Sequence, residues 1–382
     1  MSKQIVHIVV NQYTHDARVI RECKSLAKEG YDVTVLAYWL KGLDLAHREN
    51  GYNVVRIRIY TKSWSSHPMA QIIKYIEFLI KSLMIIRKIK PNTCHCHNPD
   101  GLLIGYIAKL FWKTKLIYDS HELWAHSSHM TNYNRILYKI GRWFEKALIN
   151  KSDAVITVCD SILKVIKSEN SVSEISVVRN MPELSTDNYN YSRDSLQFPK
   201  CKNILIYSGH IIPGRGINNI IKAMRSVNDD IGLVIMGGNG HYKNTMIANV
   251  EKYKLTMRVA FVGAVTPERV ISICKLADVG IVPIRNICDS YYLCLPNKLF
   301  EYIQSGLPVL CSDFPEMKNI IKQYHVGLTF NPEDPIQIAA KINEILFNEA
   351  KYYDYCGASI KAAKILNWDI EKKNLFSVYR QL

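Results

Sequence analysis

The chain has 382 residues, of which 48% are hydrophobic and 22% are charged, and its formal net charge is +15. These are ordinary values for a globular protein, so they exclude a wholly disordered chain and allow two domains, each with its own core. The positive charge is concentrated in the first half, because residues 1–180 contain 26 basic and 15 acidic residues.

The ten cysteines are scattered without a regular spacing, and several lie in apolar, strand-like runs. This pattern favours buried thiols in a reducing compartment over a disulfide scaffold. The N-terminal apolar run, residues 5–10, is shorter than a signal peptide requires, and no uninterrupted apolar segment approaches the roughly 20 residues of a membrane span. We therefore expect a cytoplasmic protein.

The chain opens with a strand, a polar turn, a helix and a second strand. The strand at residues 5–10 precedes Thr14, His15 and Asp16, a helical spacing follows over residues 18–29, and residues 31–37 form the next strand. Such a βαβ opening indicates a parallel sheet, in which ligands gather at the carboxyl ends of the strands. Asp16 is thus a candidate for the wall of a ligand site, and capping of the following helix is an equally good interpretation.

Residues 71–90 form a long apolar and basic segment. An amphipathic helix of this kind can lie in a membrane interface, but we expect its apolar face to pack on the sheet with its lysines solvated. Weak contact between the N-terminal domain and an anionic membrane is a further expectation, as is peripheral attachment at the inner face of the cell membrane.

The Cys94-His95-Cys96-His97 run suggests zinc, but alternate residues of a strand point to opposite faces, so the four side chains cannot converge on one metal. We instead predict a strand that ends at a site, with His97 in the loop and a helix that starts at Gly101. The next strand, residues 115–120, delivers His121 and Glu122 to its carboxyl end. The alternatives are an ordinary loop histidine and a carboxylate that caps a helix.

The same pattern restarts in the second half. We predict a first domain over residues 1–184, a linker over residues 185–200, a second domain over residues 201–367 and a final helix over about residues 368–382. The strand at residues 203–208 leads into a glycine-rich loop that contains Gly209, Gly214, Arg215 and Gly216. Such a loop brings the backbone close to a phosphate, and Arg215 would bind it. Gly238 belongs to a second glycine loop that would border a nucleotide.

Residues 295–302 read Leu-Pro-Asn-Lys-Leu-Phe-Glu-Tyr, and Gly306 and Pro308 follow. The proline predicts a helix start and Gly306 a helix end. A helix N-terminus at Asn297, with Lys298 beside it and Glu301 one turn later, suits an anion next to a diol. The alternative is a surface helix with an ordinary Lys–Glu pair.

This stretch resembles the donor-binding helix of GT-B glycosyltransferases of the family 4 type. The resemblance implies an α/β protein of two doubly wound, Rossmann-like domains that face each other across a cleft, with the last helix crossing back onto the first domain. It also implies that Glu301 binds the ribose hydroxyls, that the helix N-terminus receives the pyrophosphate, and that backbone atoms near Val262 and Gly263 hold the base.

The sequence departs from the family at Leu293, where relatives have a glutamate that contacts the donor sugar. Asp289, Ser290 and Tyr291 are the polar candidates that replace it. The resemblance further places His121 against the donor sugar. It implies retention of anomeric configuration without a metal or another cofactor, the nucleotide-diphosphate sugar being a co-substrate.

We assign catalysis to His121, Arg215 and Lys298, and contacts with the donor sugar or the acceptor to Asp16, His97 and Glu122 in addition to the three polar candidates above. The expected function is transfer of a sugar to a glycan or lipid-linked acceptor in surface polysaccharide biosynthesis. The alternatives are a nucleotide-sugar epimerase of the same fold and a basic, non-catalytic protein that binds nucleic acid. Against the latter, basic and acidic residues are interspersed without an aromatic-basic RNA-binding signature, so we expect no nucleic-acid partner.

Overall fold

A computed structural model describes residues 3–14, 16–65, 67–127, 135–184, 189–238 and 240–382. The chain divides into two compact units, Met1–Val178 with Lys372–Leu382, and Arg179–Glu371. This division falls six residues before the boundary at residue 184 that the sequence suggests. Within the predicted linker, Arg193 forms an ion pair with Asp278 at 2.8 Å, so this part packs on the second unit; residues 185–188 lie outside the described ranges.

The described part of the first unit contains an eight-stranded sheet in the order β3-β4-β2-β1-β5-β6-β7-β8. All neighbouring strands are parallel except β3 and β4. The strands are β1 Gln4–Ile8, β2 Asp32–Tyr38, β3 Ala46–Glu49, β4 Tyr52–Ile57, β5 Thr93–His97, β6 Lys115–Ser120, β7 Ala154–Thr157 and β8 Ile175–Val177. The helices are α1 Ala17–Lys28, α2 Pro68–Ile89, α3 Asn98–Trp112, α4 Arg135–Ile149 and α5 Asp160–Glu169. Most of the parallel strands are short and largely apolar, as expected for strands covered on both faces, and β5 is the exception with its two histidines.

Two local predictions for this unit are wrong. His97 is the last residue of β5 and not part of a loop, because α3 begins directly at Asn98, whose φ of +62° turns the chain into the helix. Gly101 lies inside that helix, where an added Cβ would come within 2.8 Å of the Ile8 carbonyl oxygen. Its small size therefore serves helix–sheet packing.

Helix α2 packs on its unit as predicted, against α3 and β4, but most of the apolar face predicted for this contact is not buried. The helix buries Phe78, Ser82 and Ile86, whereas Ile76 and Ile80 are about half exposed. The three buried positions follow one another at intervals of four residues and so form a single narrow contact face. The wider isoleucine-rich stripe predicted from the sequence lies outside it.

The second unit contains, within the described residues, a six-stranded parallel sheet in the order β11-β10-β9-β12-β13-β14. Its strands are β9 Asn203–Ser208, β10 Ile231–Met236, β11 Val259–Val262, β12 Val279–Val282, β13 Val309–Ser312 and β14 Gly327–Phe330. Its helices are α6 Ile217–Ala223, α7 His241–Lys252, α8 Pro267–Cys274, α9 Asp289–Tyr292, α10 Asn297–Gln304, α11 Pro315–Tyr324, α12 Pro335–Phe347 and α13 Glu349–Ala363. The last helix, α14 Trp368–Gln381, ends in the first unit. Asp334 caps α12, since its carboxylate accepts hydrogen bonds from the amides of Ile336 and Gln337.

Both sheets reverse their strand order once, between β1 and β5 in the first and between β9 and β12 in the second. A ligand crevice forms at such a reversal, outside the carboxyl ends of the strands. The α/β class predicted from the sequence is confirmed as two parallel-sheet units. The reversals direct attention to the loops after β9 and β12, and to the ends of β1, β5 and β6.

All ten cysteines, each within the described ranges, are free thiols, and six of them are buried. In the described part of the chain, no helix has both the length and the apolar character needed to cross a bilayer.

Candidate active site

The loop after β9 is built around close contacts between backbones. Gly209 adopts a φ of +125°, a conformation that favours glycine, and its amide donates to the Met236 carbonyl oxygen at 2.9 Å. A Cβ on Gly237 would lie only 2.1 Å from the Gly209 carbonyl oxygen. The Gly237 amide in turn donates to the Val262 carbonyl oxygen at 3.0 Å, so the ends of β9, β10 and β11 meet at one edge of the sheet.

In the Gly214–Gly216 segment, the loop after β9 packs closely against the loop after β12. A Cβ on Gly216, which has a φ of +74° and precedes α6, would lie 1.7 Å from the Pro283 carbonyl oxygen, so only glycine fits. The Gly214 carbonyl oxygen accepts from the Arg285 amide at 2.9 Å. The guanidinium carbon of Arg215 lies 4.6 Å from the centroid of the Tyr291 ring, which orients its charge.

Helix α10 opens next to these loops. Pro296 precedes it in an extended conformation, and no side chain from the described part of the chain caps its N-terminus. The helix therefore offers main-chain N–H groups and the positive end of its dipole near Asn297. Lys298, in the first turn, is only 8% exposed, which is unusual for a lysine.

The amine of Lys298 lies directly over the loop after β9. Its Nζ is 3.7 Å from the centroid of the Tyr207 ring, and a Cβ on Gly209 would come within 2.9 Å of it. The backbone conformation of Gly209 thus favours glycine, and a larger residue there would also displace the amine of Lys298. The structure thus brings together three residues that the sequence placed in one site: Gly209, Arg215 and Lys298.

The positive charges of Lys298 and Arg215 indicate that an anion binds at this place. Burial and, after it, the positive charge of Arg215 lower the pKa of Lys298 to about 7, and the nearby Glu301 carboxylate only partly opposes these effects. Two like charges held this close repel each other until a negative group binds between them. A helix N-terminus, a guanidinium and an amine at one place are the means by which proteins bind phosphates.

Glu301 and Tyr302 connect α10 to β9. The Ser208 hydroxyl lies 3.5 Å from a Glu301 carboxylate oxygen, and the buried Tyr302 hydroxyl accepts from the Ser208 amide at 2.8 Å. A Cβ on Gly280 would collide with the Tyr302 ring at 2.2 Å, so this neighbour must be glycine. The contacts fix the helix that carries Glu301 against the strand whose end forms the site.

The remaining predicted donor residues lie around this centre. An added Cβ would meet nothing within 4 Å at Gly238 or at Gly263, so both glycines border open space beside Val262. The predicted polar candidates Asp289 and Ser290 lie in α9, in which Asp289 is exposed and Ser290 is buried. The sequence treated these two residues alike, whereas the structure leaves only the carboxylate accessible.

The first unit contains a separate polar cluster, whose residues are brought together by the register of β1, β5 and β6. His7 of β1 pairs with His95 of β5, and His97 pairs with Asp119 of β6. His7 Nδ1 lies 3.0 Å from His97 Nε2, and His97 Nδ1 lies 3.0 Å from His121 Nε2. A chain of imidazoles thus runs from the sheet interior to His121, whose side chain is 24% exposed.

Asp119 is the central charge of this cluster. Its carboxylate accepts two hydrogen bonds from the Arg18 guanidinium, at 2.8 and 2.9 Å, and lies 3.1 Å from His121 Nε2. Although burial alone would raise it, Arg18 holds the pKa of Asp119 well below its usual range. Burial lowers the pKa of His121, but the Asp119 carboxylate more than compensates and raises it. His121 therefore holds its proton more firmly than an isolated histidine.

The other predicted residues of the first unit are placed as follows. His97 is buried, so it can act only through His121. Glu122 is exposed beside His121. The Asp16 carboxylate accepts from the Val19 amide at 3.4 Å, which is the capping role offered as the alternative. His15 lies outside the described residues.

The stacked histidines His7, His95 and His97 do not form a convincing metal site. His7, Glu22, His95 and His97 have potential ligand atoms within 4.8 Å of one another. However, the three imidazole rings are stacked with interplanar angles of 15–30°, so their in-plane lone pairs cannot converge on one ion. The absence of a metal from the reaction stays a prediction.

Sequence reasoning missed several residues that shape both clusters. In the second unit these are Tyr207, Ser208 and Tyr302, and the available signal was a polar pair that ends an apolar strand. In the first unit they are Arg18 and Asp119. A charged residue within an otherwise apolar strand was the signal for Asp119, but only the sheet register could show its partner.

Two doubly wound α/β units, one of which holds paired cations at its strand-order reversal, define the architecture of a GT-B glycosyltransferase. Residues 17–184 match the family described as Glycosyltransferase Family 4, and residues 189–363 match the family described as Glycosyl transferases group 1. The chain therefore belongs to the GT-B glycosyltransferases of the family 4 type and is an enzyme, as the resemblance of residues 295–302 predicts.

Among known proteins, the chain is 24% identical over 287 residues to the chitobiosyldiphosphodolichol beta-mannosyltransferase of Candida albicans. That match covers 66% of this chain and 60% of the relative, so the chain spans less than two thirds of that protein. Its fold is similar to that of sucrose-phosphate synthase from Thermosynechococcus elongatus, with a TM-score of 0.84, 18% identity and coverage of 99% and 98% of the two chains. Anabaena HepE in complex with UDP-glucose gives a TM-score of 0.77 and 13% identity over 99% and 100% of the two chains.

Proposed function

We propose that this glycosyltransferase transfers a sugar from a nucleotide-diphosphate sugar to a glycan or lipid-linked acceptor, with retention of anomeric configuration, in surface polysaccharide biosynthesis. One observation carries the proposal: the amine of Lys298 is buried over the loop after β9, at the opening of α10, where the positive charge of Arg215 in that loop repels it. A diphosphate removes that repulsion, and no neutral ligand would do so.

The donor would occupy the loops already described. Its pyrophosphate lies at the N-terminus of α10, beside Lys298 and Arg215, while Glu301 accepts hydrogen bonds from the ribose hydroxyls. Main-chain groups at Val262 and Gly263 border the base. The UDP-glucose complex of HepE is a precedent for a nucleotide sugar on this fold, and it supports a donor of the same chemical class.

The chemical step needs the leaving diphosphate to be stabilised. As the bond between the sugar C1 and the phosphate oxygen breaks, its electron pair moves to the diphosphate. Lys298 and Arg215 then stabilise the growing negative charge. The acceptor oxygen bonds to C1 from the same face, and its proton passes to the diphosphate oxygen that has just left.

His121 is the residue of the first unit that we assign to the reacting sugar. Its proton is retained because of Asp119, so the imidazolium donates a hydrogen bond to an oxygen of the donor sugar. His97 and Arg18 are positioning residues in this scheme, since they act on His121 and Asp119 and not on the substrate.

A lipid-linked acceptor is supported by two observations. The name of the Candida relative states that it acts on a diphosphodolichol-linked sugar. The first half of this chain carries most of the net positive charge, which suits an acceptor with a phosphate group or a place at an anionic membrane.

A panel of UDP-, GDP-, ADP- and dTDP-sugars tests the proposal by thermal shift, because a bound donor stabilises the fold by mass action. We expect one nucleotide series to raise the melting temperature of the native chain. Lys298→Met and Arg215→Met should abolish that shift. Lys275→Met, a change at an exposed lysine in the same unit, should retain it. Equal shifts in all four proteins would remove the two cations from the donor site.

Two further measurements test whether the protein is an epimerase and whether transfer retains the anomeric configuration. Incubation with the bound donor alone, followed by NMR, should leave its sugar unchanged, and formation of an epimer would instead show an epimerase. With an acceptor present, the coupling constant of the new anomeric proton should match that of the donor. The opposite anomer would overturn retention while leaving glycosyl transfer intact.

A further inference from the structure

Helix α2 carries an apolar stripe that faces solvent. Its six largest exposed side chains are between 40% and 60% accessible: Met69, Ile72, Ile73, Ile76, Ile80 and Met84. At 100° per residue these positions lie on one side of the helix, opposite Phe78, Ser82 and Ile86, by which the helix packs on its unit. Isolated exposed hydrophobic residues are common, but a contiguous stripe of this length marks an interaction site.

Basic residues border the stripe. Lys74, Lys81 and Lys88 recur every seven residues and so lie along one edge of the helix, and Arg87 continues the stripe at its C-terminal end. Between Arg58 and Lys90 the chain has seven basic residues and one acidic residue, Glu77. The surface is therefore apolar in the middle and positively charged along its border.

Two exposed aromatic side chains extend the same surface. Tyr60 is 73% exposed and Trp64 is 52% exposed, on the short 3-10 turn Tyr60–Ser63 and the residue after it. Glu77 fixes the turn to α2 by accepting from the Tyr60 amide at 2.9 Å, and Lys74 donates to the Trp64 carbonyl oxygen at 2.9 Å. Lys81 Nζ lies 4.1 Å from the centroid of the Tyr60 ring. The aromatic pair is thus held in place beside the helix.

We propose that α2 and the Tyr60–Trp64 turn form a docking surface for the interface of an anionic lipid bilayer. A helix of 22 residues is roughly 33 Å long and would lie flat, with its apolar stripe among the upper acyl chains. Tyr60 and Trp64 suit the headgroup level, where aromatic side chains with a polar atom concentrate. The exposed Arg87 and Lys88 reach lipid phosphates, whereas Lys74 and Lys81 are bonded within the protein and hold the Tyr60–Trp64 turn.

A second copy of this chain fits the surface less well. A symmetric contact would place α2 against itself, and residues 68–90 carry five basic residues and one acidic residue. Like charges along the border of such an interface would repel, whereas an anionic membrane complements them. The positive charge of the α2 surface therefore favours an anionic lipid bilayer over a second copy of this chain.

The test uses the full chain and sedimentation with vesicles of phosphatidylcholine, alone or with 30 mol% phosphatidylglycerol. We expect binding to the anionic vesicles that weakens with added salt, and little binding to the neutral ones. Ile80→Glu should reduce binding about tenfold or more, because it removes an inserted side chain and adds a repelled charge. Ile360→Glu is the matched control, since Ile360 is 55% exposed and Ile80 is 52% exposed.

A second variant separates the electrostatic contribution. Arg87→Gln with Lys88→Gln should weaken binding to anionic vesicles about fivefold for each charge removed. Equal effects of Ile80→Glu and Ile360→Glu, or no binding of the native chain to either vesicle, would overturn the proposal. So would a native dimer in sedimentation velocity that Ile80→Glu converts to a monomer, since a second copy would then be the occupant.

Vesicle binding needs neither donor nor acceptor, so this test is independent of the proposed transfer reaction. Ile80→Glu should also retain the donor-induced thermal shift of the native chain. Loss of that shift in Ile80→Glu would mean that the substitution disturbs the fold, and Ile76→Glu would then replace it.

Discussion

The amine of Lys298 lies 3.7 Å from the centroid of the Tyr207 ring. The electron-rich face of the ring stabilises the charged amine, whereas burial and the positive charge of Arg215 oppose it. The net result is a pKa of about 7. The residue proposed to stabilise the leaving diphosphate is therefore close to half ionised at neutral pH before any substrate binds.

Donor binding should consequently take up a proton. A diphosphate beside Lys298 favours the ammonium form and raises its pKa, so the affinity is highest below pH 7 and falls as the pH rises above it. We expect the dissociation constant to increase about tenfold per pH unit above pH 7, until the pKa of the bound state is reached. Calorimetry in buffers of different ionisation enthalpy should give an uptake of about half a proton at pH 7 and nearly one at pH 8.5.

The control for this prediction is Lys298→Arg, because a guanidinium stays charged over this range. The variant should bind donor with no proton uptake and with an affinity independent of pH between 7 and 9. If the native protein and the variant show the same pH dependence, another group titrates and Lys298 does not contact the diphosphate.

Tyr302→Phe should destabilise the second unit. The hydroxyl accepts from the buried Ser208 amide, and phenylalanine leaves that amide without its partner, a loss of about 1–3 kcal/mol in the free energy of unfolding. Because Glu301 is the preceding residue on the same helix, donor affinity should fall as well. Urea denaturation and calorimetry measure the two effects. Tyr353→Phe, at a residue that is 64% exposed, should change neither.

The sequence was sufficient to predict the α/β class and the helix opening at Asn297, because apolar runs, Pro296 and Gly306 act locally. It did not predict the exposure of the α2 stripe. A helix with apolar residues on most of its circumference gives no local signal for which side meets the sheet, and only the contacts of Phe78 and Ile86 decide it. Tertiary packing selects the face, and one sequence does not record that selection.

The polar cluster of the first unit is a second case in which the sequence alone could not predict the tertiary contacts. His97 and Asp119 are 22 residues apart in the sequence and become neighbours through strand register. A histidine at the end of a strand was recognisable as a candidate, but its burial between His7 and His121 was not. Local patterns identify residue types with chemical potential, whereas pairing across a sheet decides which of them remain accessible.

Gly216→Ala should abolish the site and severely destabilise its unit. A Cβ there would lie 1.7 Å from the Pro283 carbonyl oxygen, and the φ of +74° adds strain, so the loop after β9 must move. We expect a loss of at least about 2 kcal/mol in unfolding free energy and no donor-induced thermal shift.

Gly238→Ala is the matched control in the neighbouring loop, because its Cβ would meet nothing within 4 Å. It should fold with a melting temperature close to that of the native protein. A Gly216→Ala protein as stable as Gly238→Ala would show that the close packing between the two loops does not exist in solution.

Asp119→Asn should lower the pKa of His121. In the native chain the carboxylate, 3.1 Å from His121 Nε2, raises that pKa against the effect of burial, and the neutral amide cannot do so. The variant also removes one of the two buried carboxylates paired with Arg18, the other being Glu22, at a cost of about 3–5 kcal/mol in stability, so measurements need a temperature well below its melting point. NMR titration of the imidazole nitrogens reports the pKa directly. Asp153→Asn removes a carboxylate that pairs with Lys109 and should leave it unchanged.

The pH dependence of transfer then separates a role in the reaction from a role in the fold. If protonated His121 donates a hydrogen bond to the donor sugar, kcat/KM decreases as the pH rises through the pKa of His121. In Asp119→Asn this decrease should move to lower pH together with the measured pKa, while Asp153→Asn keeps the native profile. A decrease that stays in place although the pKa has shifted would assign the titration to a different group and leave His121 a structural residue. Since Lys298 titrates near pH 7 in the free enzyme, the comparison is best made in the Lys298→Arg background, where His121 titrates and residue 298 does not.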